Sequence, residues 1–74
     1  MNAIEYANIH GVVIQELDNY RGRTEKRYLI MVRSASRNAL YHVLGRAITL
    51  QEALDEVRRR QWNLLAVGDF YQVV

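Results

Sequence analysis

Residues 49–61, TLQEALDEVRRRQ, indicate their conformation more clearly than any other part of the chain. Thr49 and Glu52 have the spacing of a capping box, in which a hydroxyl and a carboxylate each accept a hydrogen bond from a backbone N–H at a helix start. One stripe of positions that recur every three or four residues contains the apolar Leu50, Ala53, Leu54 and Val57 and ends at Gln61. The pattern predicts one amphipathic helix whose stripe faces a core.

The charged residues of this helix are ordered along its length. The acidic residues occupy the first half and three arginines the second, which is the distribution that the helix dipole favours. Asp55 and Arg59, like Glu56 and Arg60, are four residues apart, and this spacing predicts stabilising ion pairs on the helix surface. We therefore interpret these carboxylates as part of an exposed, salt-bridged face and not as an acid–base pair for catalysis.

Three segments before the helix have the composition of β-strands. They are residues 9–17 (IHGVVIQEL), 27–34 (RYLIMVRS) and 39–44 (ALYHVL), separated by stretches of turn formers and charges. Residues 64–74 (LLAVGDFYQVV) favour one interrupted strand, with a short hairpin turning at Gly68 and Asp69 as the alternative. The predicted fold is α+β: a small, mainly antiparallel sheet of three or four strands in the order β-β-β-α-β, with one helix packed on one face.

The length of 74 residues predicts a single domain, residues 1–74, with a marginal core. Residues 1–7 are too short for a dependable helix, and we expect them to be frayed or docked on a partner. The chain has no cysteine, which makes a reducing cytoplasm the expected compartment. No apolar run is long enough to cross a membrane, and the first ten residues do not resemble a signal peptide.

The second predicted strand is apolar on both of its faces. Tyr28, Ile30 and Val32 alternate with Leu29 and Met31, so the two sets point to opposite sides of the sheet. Because one helix covers only one side, we expect the open side to contact a protein partner, most simply a second copy in a two-fold homodimer. The interface candidates are Tyr28, Leu29, Met31, Tyr41, Phe70 and Tyr71.

The sequence indicates no catalytic centre. His10 and His42 are predicted on the outer two of three strands, about 10 Å apart, which is too far to share a metal ion. Ser34 and Ser36 lie in a turn without the pattern of a nucleophile elbow, and the glycines form no phosphate loop. We expect no enzyme activity, metal, cofactor or small-molecule substrate.

The basic residues support an alternative function. Nine of the ten are arginine, the residue best suited to bidentate contacts with phosphate, although the net charge is only +2. Alternating strands should gather these residues at the two ends of the sheet, with Tyr20 and Tyr41 as stacking surfaces. The nucleic-acid-binding candidates are Arg21, Arg23, Lys26, Arg27, Arg33, Arg37 and Arg46. Neighbouring acidic residues neutralise much of this charge, so we rank the alternative second.

The order strand, strand, strand, helix, with Gly45, Thr49 and Glu52 near the junction, resembles the small DNA-binding modules at the front of tyrosine integrases. The resemblance covers about half of the chain and implies a sheet that docks on DNA. The strand that would face the DNA, residues 28–32, is too apolar to read base edges. We therefore interpret the chain as a non-enzymatic accessory or regulatory binding module, of bacterial or phage type, that works through a protein interface.

Overall fold

A computed structural model describes residues 2–17, 27–33 and 41–68. These form α1 (Ala3–His10), β1 (Val12–Leu17), β2 (Arg27–Arg33), β3 (Tyr41–Ala47), α2 (Leu50–Arg59) and β4 (Leu64–Gly68). The strands make one sheet in the order β3-β2-β1-β4, in which β1 pairs antiparallel with β2 and parallel with β4, and β2 pairs antiparallel with β3. The predicted α+β class is confirmed, and α1 is a second helix beyond the one predicted.

The chain is helical from Ala3, although the segment was expected to be too short for a dependable helix. Docking of residues 1–7 on a partner stays a prediction. The Asn2 side chain caps this helix, because its Oδ1 accepts a hydrogen bond of 2.8 Å from the N–H of Glu5. A helix of eight residues is marginal alone, and α1 is held by tertiary packing, since Ala7 is fully buried in the protein's own core. Gly11 ends the helix with a φ of 92°, so β1 starts at Val12 instead of residue 9.

The predicted helix at residues 49–61 is confirmed as α2, and its start has the expected cap. The Thr49 hydroxyl accepts a hydrogen bond of 3.1 Å from the N–H of Glu52. The Glu52 carboxylate accepts one of 3.2 Å from the N–H of Ile48, one residue before the position that a standard capping box uses. Both ends of the box therefore satisfy backbone donors that the helix cannot satisfy itself.

The end of α2 is a Schellman motif without glycine. The N–H of Gln61 donates to the carbonyl of Arg58, and the N–H of Trp62 donates to the carbonyl of Val57, each at 3.0 Å. Gln61 holds a φ of 59°, in the left-handed region that favours glycine. Trp62 and Val57 are both buried in the same core cluster, in keeping with the apolar contact that often accompanies this motif.

Both helices pack on the same face of the sheet. Of the predicted stripe, Ala53 and Val57 are buried, Leu54 is half-buried, and Leu50 and Gln61 are exposed. The buried stripe of α2 is thus narrower than the predicted one, and Trp62, which follows the helix, is buried in the same core. The buried members of this helix-side core are Ala7, Val12, Ile14, Tyr28, Ile30, Val32, Ala53, Val57 and Trp62.

The opposite face of the sheet has a second apolar cluster, formed by Val13, Leu29 and Met31. Leu17, Tyr41 and Val43 pack against it, and none of its described members belongs to a helix. Met31 is 0% exposed and Leu29 is 6% exposed in the single chain. The expectation that these two side chains need a partner molecule to leave water is therefore wrong.

Candidate functional site

The predicted interface residues lie in different environments in the structure. Tyr28 belongs to the helix-side core, and Leu29 and Met31 are buried in the second cluster. Tyr41 is half-buried at the start of β3, while Phe70 and Tyr71 lie outside the described residues. An interface has to be sought among the atoms that the single chain leaves exposed, and two features of the described surface meet that requirement.

The first feature is β4, which is an edge strand among the described strands. Its sequence is LLAVG, without the charged residue or proline with which natural proteins protect such edges. Leu65 is 57% exposed and Val67 is 45% exposed. Val67 pairs with Ile14 of β1, but the helices lie mainly over β2 and β3, so they leave this part of the sheet uncovered. Among the described strands, this edge has a neighbour on one side only, and it carries exposed apolar side chains.

The second feature is a cleft of about 200 Å³ at the end of the sheet where β2 ends and β1, β3 and β4 begin. Arg33 and Tyr41 are cross-strand partners on its wall. The rings of Tyr6 and His10 contact each other from α1, with centroids 4.2 Å apart and a tilt of 36°. The described residues that line the cleft are Tyr6, His10, Gly11, Val13, Arg33, Tyr41 and Leu65.

Gly11 allows the strands to meet beside this cleft. A Cβ atom built at Gly11 would lie 2.5 Å from the backbone oxygen of Asn63 and 3.1 Å from the Cγ of Leu65. The Asn63 carbonyl also accepts a hydrogen bond of 2.8 Å from the N–H of Val12, which joins the start of β1 to the start of β4. Glycine is required here both by the close approach and by the positive φ.

The arginines fall into separate groups. Arg27 and Arg46 lie at one end of the β2–β3 pair and Arg33 at the other, as predicted. Arg59 and Arg60 both pair with Glu56 on α2, so the Glu56–Arg60 pair is confirmed, whereas Arg59 pairs with Glu56 instead of Asp55. The remaining nucleic-acid candidates, Arg21, Arg23, Lys26 and Arg37, lie outside the described residues.

The predicted position of His10 is wrong. It is the last residue of α1, and His42 lies in β3, so the two do not flank β2 on neighbouring strands. Within residues 2–17, 27–33 and 41–68, no group of three or more His, Asp or Glu side chains is placed to hold a metal ion. Neither described helix has the length and apolar character needed to cross a membrane.

In comparisons with known proteins, no family model, no curated protein and no solved structure matches the chain. The functional interpretation therefore depends on the edge strand and the cleft. The cleft was not predicted from the sequence, because residues 1–7 were not expected to form a helix and His10 was expected in a strand. The signals were present in the capping spacing of Asn2 and Glu5 and in Gly11, which is a typical helix C-terminal residue.

Proposed function

We propose that this protein is a non-enzymatic binding module that works through protein–protein contact and self-associates through β4. The observation that carries the proposal is the exposed, uncharged edge strand, with Leu65 57% and Val67 45% exposed. Strand addition to such an edge supplies main-chain hydrogen bonds, and the exposed side chains supply apolar contact. The interface proposed from the sequence at Leu29 and Met31 thus moves to the edge of the sheet.

A second copy of the chain is the partner that this edge fits best. A strand without charges pairs with its own copy without needing complementary charges on the other side. Antiparallel pairing about a two-fold axis is compatible with the closed symmetry of most oligomers. A register centred on Ala66 brings Leu65 of one copy opposite Val67 of the other, and one sheet then continues through both copies.

The experiment is sedimentation velocity of the wild type, Val67→Lys and Ile48→Lys from low to high micromolar concentration. We expect the wild type to dimerise and Val67→Lys to remain monomeric, because a lysine on an edge strand opposes strand pairing. Ile48→Lys is the matched control, since Ile48 is 60% exposed but lies before α2, and it should dimerise like the wild type. A wild-type protein that stays monomeric at high micromolar concentration would contradict the proposal.

The second candidate function is nucleic-acid binding through the arginines, supported by the placement of Arg33 and Arg46. Arg46 of β3 pairs with Leu29 of β2, and Arg33 lies four residues further along β2, which corresponds to about 13 Å. The two arginines therefore lie at opposite ends of the face that carries the second cluster. This separation is close to the ~12 Å width of the DNA major groove, whose borders are rows of phosphates. The two arginines could therefore contact the two rows at once.

Titration with duplex and single-stranded DNA and RNA at several salt concentrations tests this second candidate. Arg33→Gln and Arg46→Gln should each weaken binding and lower the slope of affinity against salt by about one phosphate contact. Absence of affinity at low ionic strength would eliminate nucleic-acid binding and leave the protein-binding proposal intact.

A further inference from the structure

We propose that the cleft at the end of the sheet, beside α1, binds a small organic anion, a carboxylate or phosphate group attached to a planar or apolar group. The cleft brings Arg33, Tyr6, His10 and Tyr41 together over apolar residues. This inference goes beyond the proposed function, because it needs neither self-association nor a nucleic acid.

The charge of the cleft selects an anion. Arg33 is exposed, and no carboxylate of the described segments forms an ion pair with it. The described lining contains no acidic side chain, so the guanidinium is its only group that is always charged. A guanidinium presents paired donors whose spacing matches the oxygens of carboxylate or phosphate. The C-terminal end of α1 opposes an anion, but this dipole effect is weaker than a direct charge-assisted pair.

The size and lining of the cleft limit which organic group can carry the anion. Its volume of about 200 Å³ is below the range of roughly 300–1,000 Å³ typical of sites for drug-sized ligands, so it suits a group about the size of a single ring. Val13 and Leu65 provide apolar contact, and the rings of Tyr6 and His10, which contact each other at a tilt, form an aromatic wall. The hydroxyl of Tyr6 is an additional donor for an anionic oxygen.

The test is an NMR titration with benzoate and phenyl phosphate, with benzyl alcohol as the uncharged probe of similar size. We expect saturable shifts at the amides of Gly11, Val13 and Leu65 with at least one anion, and much weaker binding of benzyl alcohol. Binding of benzoate alone or of phenyl phosphate alone supports the proposal and identifies the preferred anion.

Two charge-matched variants locate the site. Arg33→Gln should weaken binding about tenfold or more, as expected for loss of a charge-assisted pair. Arg46→Gln removes the same charge at the other end of the same face and should change affinity less than about twofold. Arg33→Lys keeps the charge but lacks the paired donors of the guanidinium group, and it should bind the anions with intermediate affinity. The backbone spectrum of each variant confirms that it is folded.

Three results would overturn the proposal. They are equal affinity for benzyl alcohol and the anions, equal losses in Arg33→Gln and Arg46→Gln, and shifts that do not involve the cleft amides. The second result would instead indicate general attraction of anions to the whole face, as the nucleic-acid candidate predicts.

Discussion

The indole Nε1–H of Trp62 donates a hydrogen bond of 2.8 Å to Oδ1 of Asn8, which joins the segment that follows α2 to the last turn of α1. Trp62 is 7% exposed, so its N–H would lack a partner if Asn8 were shortened. We expect Asn8→Ala to lower the free energy of unfolding by about 1–3 kcal/mol.

A double-mutant cycle with Trp62→Phe tests whether that loss belongs to the hydrogen bond. Urea unfolding of the wild type, both single variants and the double variant should give a coupling energy of about 0.5–1.5 kcal/mol. A coupling energy near zero would show that Asn8 stabilises the protein by other contacts.

Gly11 is the position least tolerant of a side chain among the described glycines. Gly11→Ala places a Cβ 2.5 Å from the Asn63 carbonyl oxygen and requires alanine at a φ of 92°. We expect a loss of roughly 2–4 kcal/mol in urea unfolding. Gly68→Ala is the control, since nothing lies within 4 Å of its added Cβ, and it should be neutral within about 0.5 kcal/mol. Equal effects of the two changes would contradict this interpretation.

Gln61 is strained because it holds a left-handed conformation at the end of α2. Gln61→Gly should raise the melting temperature and add up to about 1 kcal/mol of stability, because glycine adopts this conformation without steric cost. Gln61→Ala retains the Cβ and serves as the control, for which we expect no gain. A stabilisation of similar size in both variants would indicate that loss of the glutamine side chain, and not relief of strain, is responsible.

Gln15 is 4% exposed, and its Oε1 has no hydrogen-bond partner among the described residues. It pairs with Leu29 and so lies on the face of the second apolar cluster. Gln15→Met keeps the length of the side chain and removes the unpaired oxygen, and we expect about 1 kcal/mol of added stability in urea unfolding. Gln15→Glu should be strongly destabilising, because it buries a charge. Destabilisation by methionine would contradict the interpretation that the unpaired oxygen lowers stability.

Glu56 makes the stability of the protein sensitive to acid. Its hydrogen bonds with Arg59 and then Arg60 hold the pKa of its carboxyl below the ordinary value of 4.5. As pH falls below 4.5, the unfolded chain protonates its Glu56 carboxyl before the folded protein does. The stabilisation that is present at neutral pH is therefore lost as pH falls through the lower pKa of the folded protein.

Glu56→Gln removes the titrating group, and unfolding curves from pH 7 to pH 2 should show a shallower loss of stability than the wild type. Because the pair is on the surface, 1 M salt should reduce the difference between the two proteins. Parallel curves for both proteins in low salt would show that the pairing does not contribute in solution.

Local sequence signals predicted the elements whose conformation depends on neighbouring residues. Thr49 and Glu52 predicted the start of α2, and the apolar run around Ile30 predicted the central strand. The parallel pairing of Val12 with Leu64 was not predictable, because it joins distant positions and leaves no local pattern. Tertiary packing of Ala7 likewise decided that α1 forms, which capping spacing alone could not establish.

The candidate site was less predictable than the fold. The alternation of side chains along β2 correctly placed Leu29 and Met31 on the face opposite Ile30. Whether a face is buried depends on the residues that cover it, and the sequence pattern of the strand does not show those residues. The cleft joins Arg33 and Tyr41 with residues of α1, so it becomes visible only when the helix is placed. The exposed β4 depends on which strands end at the edge of the sheet, and this is a property of topology.

The placement of β4 beside β1 has a consequence for biosynthesis. β1 is translated early, but its second neighbour follows only after α2, at residues 64–68. Until that segment leaves the ribosome, one side of β1, with the apolar Val12 and Ile14, is open to foreign strands. Nascent chains stalled before residue 64 should therefore engage chaperones, and release of β4 from the ribosome should end that dependence.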